Sequence, residues 1–479
     1  MELIGFEIKP ELLSENRVIV LNLGNVVCEI LNCRSDIVRA ISDILSYEPD
    51  GAAHQMRHLP KWSTWDGRTR LLKKNKFPSG LLFLVEDFLK ENKLEYKIAD
   101  SRKRPKTTKN FKATFPYTLR PYQNEVRTIV KRDERGVFDV GTGGGKACLI
   151  GICISEIGLD TLVVVPDVGL REQLYQSLVK WFSKELVSKD IKSNASIVVH
   201  NIAGLVNKPE ALFYRFKSIL SDEFHHSSAS TYLKLNILAK NAFYRYGFTG
   251  TNVRPDGKDL VMQGVNSKVL LKKSTSDLIE EGYLVPPHIK MKFVSLHGYS
   301  RLGYREAYDR LVADDEVNNL IAKEAEDLIE EGLQVLILVR RKAHGEAIVK
   351  RLPFAKVAYL TGDDLIDVRE QAKDSFKNRE IQCLIATSIF REGQDIPAID
   401  AFVNARFQKS VVETKQGIGR ALRLAEGAKN FSESQKLGKS CAKVVDFFFK
   451  GNRHLQNHSV ERAKQYRSER AFIVKVEKV

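Results

Sequence analysis

Two tandem α/β lobes built on parallel sheets, preceded by a small α+β module, are the fold this sequence predicts. Three observations carry that fold class. Short apolar runs of strand length recur between amphipathic helical patterns: Leu162–Val165, Ile197–Val199, Phe243–Phe248, Val335–Val339, Leu384–Ala386 and Val444–Phe447. Runs with so few alternating polar residues suit strands buried on both faces, the habit of parallel sheets. A glycine-rich turn with a lysine, Gly141-Thr-Gly-Gly-Gly-Lys146, precedes a plausible helix. The 479 residues also exceed the usual size of one core, so roughly two to four domains are expected.

In chain order, 1–110 reads as a leading module with a basic linker, 111–287 as the first lobe, 288–449 as the second, and 450–479 as a basic helical tail. Composition sets the linker: Ser101–Asn110 is basic and contains Pro and Thr. The join between lobes is placed after Leu278-Ile-Glu-Glu-Gly-Tyr-Leu-Val-Pro-Pro287, because paired prolines are expected to end a helix.

Hydrophobic content of 43% is ordinary for a globular chain. No run of about 18 apolar residues exists, so no membrane span is expected. The start, MELIGFEIKPELLSE, lacks a signal-peptide pattern. The six cysteines, at 28, 33, 148, 153, 383 and 441, show no CxxC spacing. That argues against a zinc site and a disulfide scaffold, and a reducing cytoplasm fits best.

A formal net charge of +16 suggests a polyanionic partner. Arg57 to Lys76 holds seven of the cations, Arg57, Lys61, Arg68, Arg70, Lys73, Lys74 and Lys76, against only Asp66. Two of the three tryptophans, Trp62 and Trp65, sit in the same segment. Aromatics among cations stack on bases while Lys and Arg neutralise phosphates. The competing reading is that both indoles fill a small core. A spacing of three puts them on opposite sides of a strand, which suits one core residue and one contact.

The glycine turn has a chemical reason. Gly141, Gly143, Gly144 and Gly145 let backbone amides approach phosphate oxygens, and the following helix N-terminus adds its dipole. Lys146 would pair with the β- and γ-phosphates of a nucleotide. Ala147 departs from the pattern, because that position normally offers a hydroxyl to Mg2+. Thr142 lies in the loop but is misplaced to substitute. Ser218-Ile-Leu-Ser-Asp222-Glu223 reads as a strand ending in two carboxylates. Asp222 is the expected holder of Mg2+, through water, and Glu223 the base for an attacking water. His225, Thr249 and Thr251 would couple this site to the other lobe. Arg120 and Gln123 precede the loop, and a glutamine amide can both donate to and accept from adenine, which selects ATP. Downstream, Thr387 is expected at a nucleic-acid phosphate, Gly393 at a close backbone approach, and Asp395 at a ribose or lobe contact. Arg420 and Arg423 lie three apart and would share a helix face, with Gln416 one turn earlier. Their guanidinium groups suit γ-phosphate charge in a transition state.

These blocks, in this order over roughly residues 115 to 450, resemble the DExH branch of superfamily 2 helicases. Thr361-Gly-Asp363 and Leu365-Ile-Asp-Val-Arg369 resemble the second lobe of that family. Lys61-Trp-Ser-Thr-Trp-Asp-Gly-Arg-Thr-Arg-Leu-Leu72 and Pro78-Ser-Gly80 look like the leading domain of UvsW-type phage helicases. The whole chain is similar to phage branch-migration helicases, including that of T-five-type phages. The resemblance implies two RecA-like lobes with one ATP between them, Mg2+ as cofactor, and remodelling of forked and branched DNA in a host cell cytoplasm. Single-stranded and duplex DNA are both expected partners, the duplex meeting the leading module. An RNA helicase, or a DNA-binding or annealing protein with an impaired nucleotide site, are the alternatives. Polarity and oligomeric state have no signature in the residues.

Overall fold

The computed structural model describes residues 18–49, 51–58, 63–106, 109–223, 229–250, 258–353, 356–387, 399–409 and 411–478. The chain divides into two compact units. One comprises Met1–Val140 with Gly145–Lys272, the other Gly141–Gly144 with Lys273–Val479.

The first unit begins with a four-stranded mixed sheet, in the order Lys76–Pro78, Val27–Leu31, Ile19–Leu23, Tyr96–Asp100. Ile19, Leu21 and Leu23 alternate onto one buried face, as a period of two requires. Helix Ser35–Ile44 brings Ile37, Ala40 and Ile41 to this core, and helix Leu82–Glu91 brings Val85, Phe88 and Leu89. Offsets of three and four make one helix face. Leu21, Ile41, Leu81, Val85 and Leu89 are fully buried; each contributes roughly 1.5–3 kcal/mol.

This module is seated on the first seven-stranded sheet's lobe, not strung from it. A Cβ on Gly80 would fall 2.1 Å from the Gln263 carbonyl oxygen, so the backbones touch there. Leu260 of helix Lys258–Asn266 packs into the module's own core. Arg135 donates from Nη2 to the Asn25 carbonyl at 3.1 Å. The basic stretch after residue 100 is strapped down as well. Ser101 Oγ donates to the Leu23 carbonyl at 2.9 Å. Arg102 bridges Asp100 and Glu134 at 2.8 and 2.9 Å. Lys109 pairs with Asp160 at 2.6 Å.

The seven-stranded sheet of this unit has the order Val269–Lys273, Arg135–Val140, Tyr244–Thr249, Ser218–Asp222, Thr161–Val165, Ile197–Asn201, Val187–Ser188. The central pairs are parallel. The three apolar runs read between 162 and 248 fall in its strands. Arg135–Val140 was not among them, because Arg135, Gly136 and Asp139 interrupt its apolar residues.

The second unit carries a parallel sheet of seven strands: Val357–Leu360, Cys383–Ala386, Val335–Val339, Ala401–Ala405, Ala442–Lys450, Pro287–Ser295, Ile473–Lys478. Helix Asp315–Glu330 covers it with Val317, Ile321, Ala325 and Leu328. Asp314 caps that helix by accepting the Val317 N–H at 3.2 Å, a contact worth about 1 kcal/mol. Two expectations are corrected here. Helix Thr275–Glu280 ends before Gly282, which holds φ +77° in the left-handed region, and not at the prolines. Pro287 instead opens a strand, the position where a missing N–H is tolerated. The tail is not helical throughout. After helix Arg453–Arg467, Ile473–Lys478 pairs in parallel with Pro287–Ser295 at the sheet edge. Its β-branched residues interleaved with charges suit an edge strand.

A buried polar network fixes that tail helix. The Asp446–Arg462 pair is fully buried, at 2.9 Å. Asp446 also accepts from Asn404 at 3.0 Å, from the Phe447 N–H at 2.6 Å, and from the Tyr466 hydroxyl. Arg462 donates further to the Phe447 and Gln408 carbonyls. Burial, and then the Asp446 charge, push the Tyr466 phenol well above its ordinary range.

All six cysteines are free thiols. Among the described residues, no helix is long and apolar enough to cross a membrane, and no group of three His, Cys, Asp or Glu could hold a metal.

Candidate nucleotide site and nucleic-acid contacts

Strand Arg135–Val140 ends at the glycine turn, and helix Lys146–Ile157 begins directly after it. Gly143 and Gly145 hold φ +83° and +78°, a conformation that excludes most side chains. The Gly144 N–H donates to the Gly141 carbonyl at 3.0 Å, closing the turn. The helix has no acidic residue in its first turn. The amides of its first turn and its positive dipole end therefore favour an anion.

The neighbouring strands deliver the acids. Thr249 stands opposite Asp139, and Asp222 opposite Phe248 on the next strand. Asp222, Thr249 and the glycine turn thus leave the sheet at the C-terminal ends of three adjacent strands, where α/β sheets bind ligands. Asp222 and Glu223 are buried. Glu223 holds φ +43°, a strained value for a residue with a Cβ. Its N–H donates to Asp222 Oδ1 at 3.0 Å. The Lys146 ammonium is ion-paired with the Glu223 carboxylate. The cation expected at the phosphates and the expected base are thus in direct contact.

Gln123 has a structural task beside any role toward adenine. Its Oε1 accepts the Arg120 N–H at 3.0 Å, capping helix Pro121–Arg132. A Cβ on Gly145 would lie 2.8 Å from its Nε2, so the amide backs the glycine turn. Arg120 reaches Tyr122 Oη at 3.2 Å. Ala147, partly exposed in the first helical turn, presents only a methyl group.

In the second unit, Thr387 is buried just past strand Cys383–Ala386, and its N–H donates to the Leu360 carbonyl at 3.2 Å. Arg420 lies in the last turn of helix Val411–Ala421. That helix stops before Arg423, so the expected shared helical face does not extend to it. Gly417 has a reason of its own: a Cβ there would meet the Phe402 ring at 2.7 Å, so its absence lets the helix lie on strand Ala401–Ala405. Trp62, His225, Thr251, Gly393 and Asp395, and the side chain of Gln416, lie outside the described residues.

The basic module is more internally paired than its composition suggested. Trp65 Nε1 donates to the Arg68 carbonyl at 2.8 Å. Arg68 donates to Ser46 Oγ and carbonyl at 2.8 and 3.1 Å. Arg70 bridges Asp43 and Asp66 at 3.0 and 2.6 Å, and its hydrogen bonds hold the Asp66 carboxyl down at about 2. Lys73 and Lys74 stay exposed at a turn where Lys74 and Asn75 take positive φ. The seating of this module through Gly80 and Leu260 was not read from the sequence. Its only signal was a glycine beside Pro78 and Ser79.

Three family models match the chain. "DNA helicase UvsW, N-terminal" covers residues 20–99, "Type III restriction enzyme, res subunit" 116–254, and "Helicase conserved C-terminal domain" 316–425. The ATP-dependent DNA helicase uvsW of Enterobacteria phage T4 is 24% identical over 493 residues, spanning 92% of this chain and 95% of that protein. The DNA 3'-5' translocase XPB2 of Sulfurisphaera tokodaii is 24% identical over 350 residues, spanning 64% of this chain and 78% of that protein. Among solved structures, S. cerevisiae Dbp5 bound to RNA and ADP BeF3 aligns with a TM-score of 0.51 at 14% identity. It covers 75% of this chain and 94% of that one, a likeness of fold alone.

Proposed function

We propose that this chain, a superfamily 2 helicase resembling the UvsW type, couples ATP hydrolysis to DNA unwinding and remodels forked and branched DNA in phage replication or recombination. Such work would take place in the host cytoplasm. The observation that carries the hydrolytic part is the convergence of the glycine turn, Lys146, Asp222 and Glu223 at adjacent strand ends.

The loop amides and the helix dipole would bind the phosphates. Lys146 would then exchange Glu223 for phosphate oxygen, releasing the carboxylate to take a proton from water. Arg420 and Arg423 would neutralise charge developing on the γ-phosphate, with Gln416 nearby in sequence. Arg120 and Gln123 would meet the base, and Gly393 and Asp395 the nucleotide from the second lobe. His225, Thr249 and Thr251 would link hydrolysis to motion, and Thr387 a strand phosphate. Trp62, Trp65, Arg68, Arg70, Lys73 and Lys74 would face duplex DNA, with Lys73 and Lys74 the freest to reach it.

Mg2+ fits this donor set by one residue. Asp222 is a buried carboxylate at the strand end, next to Glu223, while Ala147 has no ligand atom. The ion would sit on Asp222 through water and on the nucleotide, supplying charge neutralisation. Ala147→Ser should return an inner ligand and lower the Mg2+ concentration for half-maximal hydrolysis. An unchanged Mg2+ titration would contradict this assignment.

The function itself is tested by strand separation with ATP on a forked DNA, a four-way DNA junction and an RNA duplex, side by side. Separation of the two DNA substrates is expected. Activity confined to RNA, or annealing without ATP, would replace this reading.

A further inference from the structure

We propose that Tyr304, His454 and His458, with Arg340 and Lys409, form a second contact for a single DNA strand, one that stacks bases and neutralises phosphates. It rests on the DNA helicase reading above and lies wholly within the second unit.

Topology gathers these residues. Strands Val335–Val339, Ala401–Ala405 and Ala442–Lys450 are neighbours in one parallel sheet. Arg340 follows the first strand, Lys409 lies just past the second, and helix Arg453–Arg467 starts just past the third. All therefore emerge at the same sheet edge. Tyr304 opens helix Tyr304–Ala313 and stands among them. Its ring meets His458 edge-on at 4.9 Å and His454 at 6.3 Å. Arg340 Nη1 donates to its hydroxyl at 3.3 Å. Beside them opens a pocket of about 500 Å3, lined by Lys409 and by His454, Asn457, His458, Glu461 and Lys464.

A packing cluster is the simpler account of three rings, but exposure argues against it. Tyr308, one turn on, is buried in the core, whereas Tyr304 and His458 are only half-buried and His454 is exposed. Among the described residues lining the pocket, the acid is Glu461, which is paired with Lys464 at 2.9 Å. Lys409 lines the pocket, and the Arg340 guanidinium sits on the Tyr304 hydroxyl, so two cations stand beside the rings. Half-exposed rings beside cations match base planes and phosphates.

The test uses the full chain and oligo-dT carrying 5-iodouracil. Irradiation followed by peptide mapping should place adducts on Tyr304, His454 or His458. Tyr304→Leu, which keeps apolar bulk, should weaken oligo-dT binding about tenfold or more, and Tyr304→Phe should restore it. Lys409→Gln should lower the log–log salt slope by about 0.7. Thermal midpoints matching wild type keep folding out of the comparison; should Tyr304→Leu melt early, Lys409→Gln and the adduct map decide. If wild type binds oligo-dT while adducts fall elsewhere and both variants bind as wild type, this inference fails and the helicase reading stands. If wild type binds no DNA, both fail together. Preference for oligo-rU would overturn the assignment to DNA.

Discussion

Glu223→Gln should abolish ATP turnover while nucleotide binding is kept or tightened. The glutamine preserves shape but cannot accept a proton, and loss of a general base typically costs about 10²–10⁴ in rate. Binding should follow the opposite course because of the ion pair with Lys146. An incoming phosphate must displace the Glu223 carboxylate from that ammonium. A neutral amide competes less, so the nucleotide dissociation constant should fall or stay level. Lys146→Ala, by contrast, should lose binding itself, because the cation and not the base is removed. Steady-state hydrolysis and equilibrium binding of a fluorescent ATP analogue separate the two. Loss of binding and turnover together in Glu223→Gln would make Glu223 a structural residue, held at φ +43° for the sake of the turn.

The second large effect is on stability. Asp446→Ala should destabilise the second unit by about 3–5 kcal/mol, because it strands the Arg462 guanidinium in a place without solvent. Both partners have 0% exposed side chains, so water cannot replace the lost carboxylate. Asn404, Tyr466 and the Phe447 N–H would lose an acceptor as well. Replacing both charges with apolar residues, Asp446→Leu with Arg462→Met, should recover much of the loss, since desolvation of each ion is then avoided. Breaking the exposed Lys377–Glu426 pair, at 54% and 76% exposure, should cost less than about 1 kcal/mol. Hydrogen exchange in Ala442–Lys450 and Arg453–Arg467 reads the effect locally, which suits a chain of two units. Wild-type protection in Asp446→Ala would show that the network is not what anchors the tail helix.

What the sequence made legible follows from where information is local. Fully buried parallel strands leave continuous apolar runs, so Val335–Val339 could be read to the residue. The glycine turn and Asp222-Glu223 were legible because phosphate chemistry fixes residue types at close spacing. What escaped depends on distant partners. Arg68 and Arg70 read as open cations, yet Arg68 bonds to Ser46, and Arg70 to Asp43 as well as to nearby Asp66; Ser46 and Asp43 lie more than twenty residues earlier. The basic stretch after residue 100 read as a linker because Glu134 and Asp160 are remote in sequence. Gly80 matters only because Gln263 approaches it. The tail read as helical because Ile473–Lys478 is too short and charged to stand out until it has a neighbour to pair with.

The central claim is that this chain hydrolyses ATP in response to DNA. The most direct measurement is the hydrolysis rate of the wild-type protein as single-stranded DNA is titrated at fixed ATP and Mg2+. A saturable rise with DNA concentration, weakening as salt is raised, is the result predicted. A rate that is the same with and without DNA, or no turnover at any DNA concentration, would contradict it.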